Sequence, residues 1–469
     1  MEYKMFKQEP AVINIGVKPF ADGIKDQGVK AIHLAWKPPV DAKLCRMIST
    51  MEPTLKEKIE KANAEAIDTL NAAEGHWVGL EKAIKAIPGF KENMIMHSGP
   101  PIDWDHMIGV QKRGVCYGAI HAGLAKTVEE ADAMVRAGEI ELASCNDMYA
   151  IGAAAGIVTH NMVVNVTEDV VHGNKAYCIP FEGRNGLGAW AMWNPEIEKN
   201  LLEIEDFFAP IVDFVLKKYG GINVRNILAK GMMMGDESHT RQAACGNMLV
   251  SEIVPMLLDA DEIPVKDMKR VVEMFVGNER WFHPLGMSCS LASMRSIKGK
   301  EYCTIVTSIA QNGVETGIKV AGLGEQWFKT AAPRFVGTLF STQWTLEDSV
   351  PYMGDSTATE TYGMGAFSAA AAPTVLRLRN GGWREAKAQS EELRTICAGT
   401  NKNFPIPLLD FTGPGMGIDI MKVVETGITP ICHGGIVNKT GGQIGAGAAR
   451  FGTDHYVKAA YAFLDKYGK

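Results

Sequence analysis

The first forty residues alternate between short apolar runs and one stretch of helical spacing. Residues 11–16 and 30–36 are the apolar runs, and residues 19–27 between them place apolar side chains at helical intervals. This order predicts a strand–helix–strand unit with parallel strands. The second run ends before Pro38, because proline has no N–H to donate to a neighbouring strand.

The same alternation continues to about residue 190. Thr54 is the predicted cap of a long helix, Asp103 or Asp105 that of the next, and Thr127 with Glu130 has capping-box spacing. The predicted elements are helices at 54–73, 103–124 and 128–137 and strands at 93–97, 139–143 and 162–166. Alternating strands and helices favour a doubly wound, Rossmann-like α/β domain with a parallel sheet over residues 1–194.

The rest of the chain changes character twice. Residues 195–283 are predicted to form a small helical domain, and residues 284–469 a Gly-rich α+β domain. The helical stretches of the first segment are 195–218, 224–233, 241–258 and 265–276. The second segment has predicted strands at 304–307, 317–320, 334–341 and 428–432 and a helix at 383–397.

Composition excludes several classes of protein. The chain has 469 residues, of which 46% are hydrophobic and 22% charged, as in ordinary globular proteins of about three domains. The net charge of −6 argues against nucleic acid or an anionic membrane as the main partner. No apolar stretch reaches the roughly 20 residues that a membrane span needs. The nine cysteines are scattered singly, so we expect reduced thiols in a cytoplasmic protein.

A first candidate site is the loop that begins with His97, Ser98 and Gly99 and continues through two prolines. It follows a predicted strand and precedes a predicted helix. In open α/β sheets, ligands bind beyond the carboxyl ends of strands, near the free N–H groups of helix N-termini. The alternative is a tight connection built from turn residues.

The densest polar cluster lies at residues 235–241. Asp236, Glu237, His239 and Arg241 place two acids, an imidazole and a guanidinium close together, which suits a cation or a phosphoryl group. The alternative is an ordinary helix start, with Asp236 as its cap and the cationic side chains solvated.

A second polar loop follows at residues 354–361. Its hydroxyls and backbone N–H groups, beginning at Gly354, Asp355 and Ser356, precede a small-residue segment and predict an anion-binding nest. The same residues fit a capping box that ends with Glu360, and the two interpretations are compatible.

Several glycines and polar residues beside strands are weaker candidates, because each alone fits a turn. These are Gly16, Asn174, Asn312, Glu315, His433, Gln443 and Gly445. Gly16 ends the first strand without a G-x-G-x-x-G fingerprint, and the chain has no Walker A, G-x-S-x-G or H-E-x-x-H motif. The residues themselves therefore indicate an α/β enzyme that acts on a small anionic ligand.

Taken together, the motifs resemble the YlbE/AllG-like family over nearly the whole chain. The matching segments are 14–16, 36–39, 97–102, 172–178, 234–239, 312–315, 322–324, 354–356, 359–361 and 443–447. Members of this family occur with FdrA-type partner proteins and carbamate kinases, and one member is a subunit of oxamate carbamoyltransferase.

The resemblance implies an enzyme that transfers a carbamoyl group between carbamoyl phosphate and a small amide or amine acid such as oxamate. It implies an FdrA-like partner subunit, and we also expect homo-oligomers and no cofactor; the acceptor and a metal requirement stay open. The alternatives are a non-catalytic or channelling subunit of an FdrA-like complex, and an NAD-dependent dehydrogenase, against which the broken glycine fingerprint counts.

The chain departs from expectation in two places. Residues 144–149 read Ser-Cys-Asn-Asp-Met-Tyr where a His-rich stretch is expected, which bears on the acceptor. The Ser-Thr-Arg-Thr phosphate motif of aspartate- and ornithine-type carbamoyltransferases is absent, so a carbamoyl-phosphate site must be built differently.

Carbamoyl transfer needs phosphate ligands, a donor for the developing oxyanion and a path for one proton. We assign phosphate binding to Arg241 and the loop at 354–356, and polarisation of the carbonyl or proton removal to His97 or His239. Glu315 and Glu360 would orient the nitrogen nucleophile. The other candidate binding residues are Gly16, Ser98, Gly99, Asn174, Asp236, Asn312, Thr359, His433, Gln443 and Gly445. His239, Asp355 and Gln443 are expected to converge on one pocket.

Overall fold

The fold is mixed α/β, with several small sheets and many helices. The computed structural model describes residues 10–34, 39–183, 185–278 and 280–468. The strands are β1 (Ala11–Ile15), β2 (Lys30–Leu34), β3 (Gly75–Lys82), β4 (Met94–His97), β5 (Glu141–Ser144), β6 (Ala150–Ile151), β7 (Val163–Asp169), β8 (Asn174–Cys178), β9 (Ile222–Asn223), β10 (Val306–Asn312), β11 (Glu315–Val320), β12 (Phe328–Ala331), β13 (Val336–Leu339), β14 (Met353–Gly354), β15 (Cys397–Thr400), β16 (Gly415–Ile418), β17 (Ile431–Val437) and β18 (Gln443–Arg450).

Helices separate and cover these strands. They are α1 (Lys18–Lys25), α2 (Ala42–Ser49), α3 (Pro53–Ala72), α4 (Ala83–Ala86), α5 (Gly109–His121), α6 (Val128–Ala137), α7 (Leu187–Trp190), α8 (Pro195–Glu203), α9 (Ala209–Tyr219), α10 (Val224–Met233), α11 (Ala243–Leu258), α12 (Val265–Gly277), α13 (Phe282–Met294), α14 (Ala358–Thr361), α15 (Trp383–Arg394), α16 (Ile420–Thr426) and α17 (Asp454–Tyr467).

Six sheets are present among the described strands. The largest has the order β6-β8-β7-β3-β9, followed by β12-β11-β10-β14 and β13-β18-β17. The pairs β1-β2, β4-β5 and β15-β16 stand as two-stranded sheets. The strand–helix–strand prediction for the start of the chain is confirmed, because β1 and β2 pair in parallel on either side of α1.

The doubly wound parallel sheet predicted for residues 1–194 is not confirmed. In the described ranges, parallel pairing is limited to β1-β2, β4-β5 and β6-β8, and the other strand pairs are antiparallel. Strand β3, which the sequence prediction left unassigned after the helix that ends near residue 75, lies between β7 and β9 and pairs antiparallel with both. Because β7 also pairs antiparallel with β8, the sheet is mixed instead of parallel.

Two of the three predicted helix caps are wrong. Helix α3 begins after Glu52, and α5 begins after Ile108, because a separate 3₁₀ turn at Trp104–His106 takes up the segment that holds both aspartates. The third cap is confirmed, since the Thr127 side chain accepts the Glu130 N–H at 3.1 Å. Gly138 then ends α6 in the left-handed conformation at φ 75°.

The helical character of residues 195–283 agrees with the sequence pattern. Helices α8 to α12 fall on the predicted stretches, with a π-helical turn at Ile204–Phe208 between α8 and α9. The main apolar cluster nevertheless joins α9–α13 to α3 and to residues of the C-terminal third such as Phe404 and Met416. The division of the chain into three domains at 194 and 283 stays a prediction.

Helix α13 is buried along its whole length, and it lies in a stretch to which the sequence prediction assigned no element. All thirteen residues are buried, and the helix packs against β3, β7, β8 and α14. Ser288, Ser290 and Ser293 each donate a 2.9 Å hydrogen bond to the carbonyl four residues earlier, which satisfies their hydroxyls in an apolar surrounding. A helix that is apolar on every side has no periodicity, so the pattern gave no signal for it.

The segment 36–39 contributes to the family resemblance, but residues 36–38 lie outside the described residues. All nine cysteines are free thiols, and all except the half-buried Cys45 are buried. Within the part of the chain that the structure describes, no helix combines the length and the apolar character needed to cross a membrane.

We predict that the ion pairs of His121 stabilise the fold and that this stabilisation is lost at alkaline pH. Its ring joins α5 to the segment around α8 through Glu198 and Glu205, each at 2.9 Å. Burial lowers the pKa of His121, but the two carboxylates outweigh burial and raise the pKa from 6.5 to about 9. The stabilisation is therefore complete below pH 6.5 and is lost as the pH rises through about 9.

The measurement is urea unfolding of the wild-type protein and of His121→Gln at pH 6 to 10. The free energy of unfolding should fall in that interval by roughly 3 kcal/mol more for the wild type than for the variant. His106→Gln, at a ring that is 76% exposed, is the matched control and should follow the wild type. Equal pH slopes for the wild type and His121→Gln would contradict the prediction.

Candidate functional site

A cavity of about 300 Å³ lies where four distant parts of the chain meet. Its walls come from residues within 153–190, 239–283, 352–356 and 434–446. The described lining contains two arginines and two histidines but neither aspartate nor glutamate. The cavity is therefore suited to a small anion, and its size fits a ligand of a few heavy atoms.

The loop that carries His239 is shaped by a buried carboxylate. Glu237 accepts hydrogen bonds from the backbone N–H groups of His239, Thr240 and Arg241 at 3.1, 2.6 and 2.9 Å. Burial raises the pKa of Glu237, but the side chains of His433 and His239 and the Arg241 N–H together outweigh burial, and the pKa lies below its usual value. The loop is thus wrapped around an ionised side chain.

The structure agrees only in part with the other interpretation of this cluster, in which Asp236 caps a helix. Helix α11 begins at Ala243, and its cap position is occupied by Gln242 without a side-chain hydrogen bond. Asp236 accepts the Cys245 N–H at 2.8 Å, inside the first turn. Burial raises the pKa of Asp236, and its second oxygen lies 3.4 Å from Nε of Arg241.

His239 and Glu360 form a buried pair at the cavity wall. Nδ1 of His239 lies 2.8 Å and 3.0 Å from the two carboxylate oxygens. Burial lowers the pKa of His239, but the charge of Glu360 outweighs burial, so the pKa is raised. The other ring nitrogen, Nε2, lies beside the backbone of Gly434, which lines the cavity. In its protonated form the ring presents Nε2–H on the cavity side.

Glu360 itself is held by three further donors. It accepts the Thr359 hydroxyl at 2.8 Å, the Ala366 N–H at 3.1 Å and the His433 N–H at 3.2 Å. Thr359 and His433, two of the predicted binding residues, therefore lie behind the His239–Glu360 pair rather than in the cavity lining.

A second histidine at the cavity was missed by sequence reasoning. His283, at the start of α13, meets His239 edge to face, with ring centroids 5.4 Å apart. Burial lowers the pKa of His283 well below its usual value, so the ring is neutral. Because Nδ1 lies against the Gln242 amide N–H, the proton resides on Nε2, which has no partner among the described residues. Because the neighbours of His283 in sequence are apolar, the sequence pattern did not single it out.

Four residues of the cavity lining each carry a buried polar atom that has no hydrogen-bond partner within the described ranges. These atoms are Oγ1 of Thr240, Oε1 of Gln242, Nε2 of His283 and Oε1 of Gln443. Buried polar atoms in folded proteins are nearly always paired. Their concentration around one cavity makes this cavity the candidate site for a guest with both donors and acceptors.

Tyr352 and Ser356 complete the polar wall. The Tyr352 hydroxyl lies 3.0 Å from Oγ of Ser356 and 2.9 Å from Sγ of Cys432. Burial raises the pKa of Tyr352 well above its usual value, so the phenol stays protonated. His239, Glu360 and Cys432 also offer ligand atoms within 4.8 Å of one another, which makes them the candidate metal ligands of the described chain. Sequence reasoning did not select Cys432, because an isolated cysteine has no pattern.

The part of the cavity wall that β17 forms is bare backbone. Gly434 and Gly435 line the cavity, and a Cβ at Gly435 would lie 2.7 Å from the amide nitrogen of Gln443. Gly447 pairs with Gly434 on one side and with Gly337 of β13 on the other. Gly445 pairs with Leu339 and Ile436, where a Cβ would meet the Thr338 carbonyl at 2.6 Å, so its glycine is needed for strand packing.

The loop that begins with His97 lies beneath the cavity rather than in its lining. The Ser98 hydroxyl donates to the carbonyl of Ala154, a residue of the cavity wall, at 2.5 Å. His97 is buried, and burial lowers the pKa of its ring. Gly99 has φ 86°, and a Cβ there would lie 2.4 Å from the Asn312 backbone nitrogen.

Asp355, in the second polar loop, holds the loop that begins with His97 in place through hydrogen bonds. Its buried carboxyl accepts the N–H groups of Gly99 at 2.7 Å and Gly152 at 3.0 Å, and burial raises its pKa to about 7. Gly354 has φ 132°, and a Cβ there would lie 2.8 Å from the Ala154 nitrogen. Asp355 therefore shapes the cavity floor, although the sequence had suggested direct binding.

The remaining candidates lie elsewhere. Asn312 caps the β10–β11 turn by accepting the N–H groups of Val314 and Glu315, and Glu315 pairs with Lys329 at 2.7 Å. Asn174 begins β8, and Gly16 follows β1 with no atom within 4 Å of an added Cβ. Of the predicted site residues, His239, Arg241, Ser356 and Gln443 line the cavity.

Comparison with known proteins identifies the family. The family model described as "Oxamate carbamoyltransferase subunit AllG" matches residues 140–356. The curated protein "Oxamate carbamoyltransferase subunit AllG" of Escherichia coli (strain K12) is 34% identical over 418 residues, covering 87% of this chain and 99% of that protein. The chain belongs to the AllG family. The matched segment contains His239, Arg241 and Ser356 and ends before Glu360.

Two further relatives of this AllG-family chain extend over most or all of its length. "Uncharacterized protein YahG" of Escherichia coli (strain K12) is 33% identical over 474 residues, which cover both chains completely. The crystal structure of a conserved protein of unknown function from Enterococcus faecalis V583 has a TM-score of 0.85 and 34% identity, and covers 88% of this chain and 99% of that one. A solved structure thus shares the fold of this AllG-family chain.

We predict that Asp355 is needed for stability. Asp355→Ala removes the acceptor of two buried backbone N–H groups, each of which costs about 1–3 kcal/mol when unpaired. The free energy of unfolding in urea should fall by roughly 2–5 kcal/mol. Asp261→Ala, at an exposed position, is the control and should change stability by less than about 0.5 kcal/mol. Equal stability of the two variants would show that Asp355 does not fasten the loops.

Proposed function

We propose that this chain is a catalytic subunit of a carbamoyltransferase-type complex. It would transfer a carbamoyl group between carbamoyl phosphate and a small amide or amine acid such as oxamate. The observation that carries the proposal is the cavity itself: among the described residues its lining holds two arginines and no aspartate or glutamate, and four lining residues carry a polar atom without a described partner. Membership of the AllG family supports the reaction class, since the relative AllG is named as an oxamate carbamoyltransferase subunit.

The phosphate group is assigned to the arginine side of the cavity. Arg241 is half exposed, and Arg280 lines the same cavity. Guanidinium groups bind phosphate oxygens in a bidentate way. The Ser356 hydroxyl, of another residue in the cavity lining, supplies a further donor. This set takes the place of the phosphate motif that other carbamoyltransferases use.

The carbamoyl group is assigned to the histidine side. Nε2–H of His239 and Nε2–H of His283 are donors for a carbonyl oxygen that gains negative charge during attack. Oε1 of Gln242 and Oε1 of Gln443 are acceptors that suit the N–H groups of a carbamoyl or oxamate amide. Each of these lining atoms without a partner among the described residues, except the Thr240 hydroxyl, thus has a complementary group in the reacting pair.

The step itself requires little of the protein. The acceptor nitrogen forms a bond to the carbamoyl carbon, the bond from that carbon to the phosphate oxygen breaks with its electron pair, and the proton of the nitrogen passes to the leaving phosphate. His239 acts as a donor to the carbonyl, and Glu360 positions its ring. Glu315 is bound to Lys329 outside the cavity, so it has no part in this proposal.

The proposed enzyme works with a partner. Because AllG is named as a subunit, we place this chain in a complex with an FdrA-like subunit. No cofactor takes part in the proposed step.

We predict that His239→Ala lowers kcat for carbamoyl transfer by about 10²–10³-fold, which is typical for the loss of one oxyanion donor. Phosphate release from carbamoyl phosphate with oxamate, in the complete complex, is the measurement. His106→Ala, the same change at an exposed ring, should retain full activity. A loss of less than tenfold in a folded His239→Ala protein would rule out this role.

A second prediction concerns Arg241. Arg241→Gln should raise the Kd for carbamoyl phosphate at least tenfold, because one phosphate ligand is lost, and should leave the Kd for oxamate within about threefold. Titration calorimetry of each ligand is the measurement. Arg384→Gln, on the exposed side of α15, is the matched control and should bind like the wild type. Unchanged carbamoyl-phosphate affinity in Arg241→Gln would refute the phosphate assignment.

A further inference from the structure

Three buried side chains behind the cavity wall come from segments far apart in the sequence. His239 lies in the loop before α11, Glu360 in α14 and Cys432 in β17, and all three are buried. Nδ1 of His239 lies 2.8 Å from Oε1 of Glu360 and 3.9 Å from Sγ of Cys432. We propose that these three residues bind one Zn²⁺ ion. The proposal goes beyond carbamoyl transfer and does not depend on it.

The donor set favours zinc over the lighter divalent cations. One imidazole nitrogen, one carboxylate oxygen and one sulfur are ligands that Zn²⁺ accepts, whereas Mg²⁺ and Ca²⁺ prefer oxygen alone. A carboxylate and a thiolate together balance the two positive charges, so the loaded site is neutral in its buried surroundings. Three protein ligands leave one position for water, as in many zinc enzymes.

The geometry needs only small adjustments. With zinc–ligand distances of about 2.0–2.3 Å in a tetrahedral arrangement, neighbouring ligand atoms lie roughly 3.4–3.6 Å apart. The nitrogen–oxygen distance of 2.8 Å is shorter than this, and the nitrogen–sulfur distance of 3.9 Å is longer. Both differ by less than about 1 Å, so rotamer shifts within the cluster are enough.

A second layer of contacts already orients the ligands. The carboxylate of Glu360 is held by the N–H groups of Ala366 and His433, and the Thr359 hydroxyl reaches both Glu360 and Nδ1 of His239. The Tyr352 hydroxyl lies 2.9 Å from Sγ of Cys432. Such outer contacts fix the orientation of metal ligands and are typical of built sites.

The ion would replace the proton that His239 shares with Glu360. A metal on Nδ1 leaves the hydrogen of the ring on Nε2, the nitrogen beside Gly434. His239 and Tyr352 belong to the cavity lining, whereas Glu360 and Cys432 do not. The ion therefore lies behind the lining, where it joins the three segments and keeps His239 in the orientation of a donor.

Cobalt substitution tests the site without reference to activity. The full-length protein, stripped with a chelator and dialysed, is titrated with Co²⁺ and separately with Zn²⁺. We expect one ion of either metal per chain, and for Co²⁺ a near-ultraviolet band of thiolate-to-metal charge transfer. Cys178→Ala changes another fully buried cysteine and should keep the band, whereas Cys432→Ala should lose it.

A measurement on the wild type covers the case in which Cys432→Ala does not fold. X-ray absorption at the zinc edge should show one sulfur at about 2.3 Å together with nitrogen and oxygen neighbours. Failure of the wild type to bind either metal stoichiometrically would overturn the proposal. So would a metal without a sulfur neighbour, or a cobalt band that persists in folded Cys432→Ala.

Discussion

The candidate site depends on the carboxylate of Glu360. This one side chain accepts hydrogen bonds from the ring of His239, the hydroxyl of Thr359 and the backbone of Ala366 and His433. Burying a carboxylate is costly unless it is paired and fully hydrogen-bonded, and here four groups from three parts of the chain meet that cost together. These hydrogen bonds therefore fix the geometry of the cavity wall, because the segments cannot separate without leaving the Glu360 carboxylate unpaired.

A second constraint comes from the centre of the fold. Helix α13 is buried on every side and touches strands of two different sheets as well as α14, which carries Glu360. Its first turn brings His283 to the cavity. Core and cavity are therefore parts of one packing arrangement, in which the position of a reactive group is fixed by apolar contacts on the other side of the same helix.

The elements that the sequence predicted well are those with clear periodicity. Helices α10 and α12 agree with their amphipathic pattern, and Thr127 caps α6 as its spacing requires. The failures have physical reasons. Strand β3 follows a helix without a turn signal, α13 has no polar side, and the sheet order depends on long-range pairing that local pattern does not encode. Within the site, His239 and Gln443 stood out as polar residues beside glycines, whereas His283 and Cys432 lie in apolar sequence and became visible only through their neighbours in space.

The glycine wall of β17 has a consequence for how the family can change its guests. Gly434 and Gly435 face the cavity without side chains, and Gly447 and Gly337 continue the bare stripe across the sheet. A wall of large side chains can be moved back by substitution with smaller residues, but a wall of glycine backbone has no side chain to shorten. A methyl group added at Gly434 or Gly435 would press on Phe335 or on the Gln443 side chain instead of extending freely into the chamber, so this strand tolerates no side chain, and a larger guest has to be accommodated by the other walls.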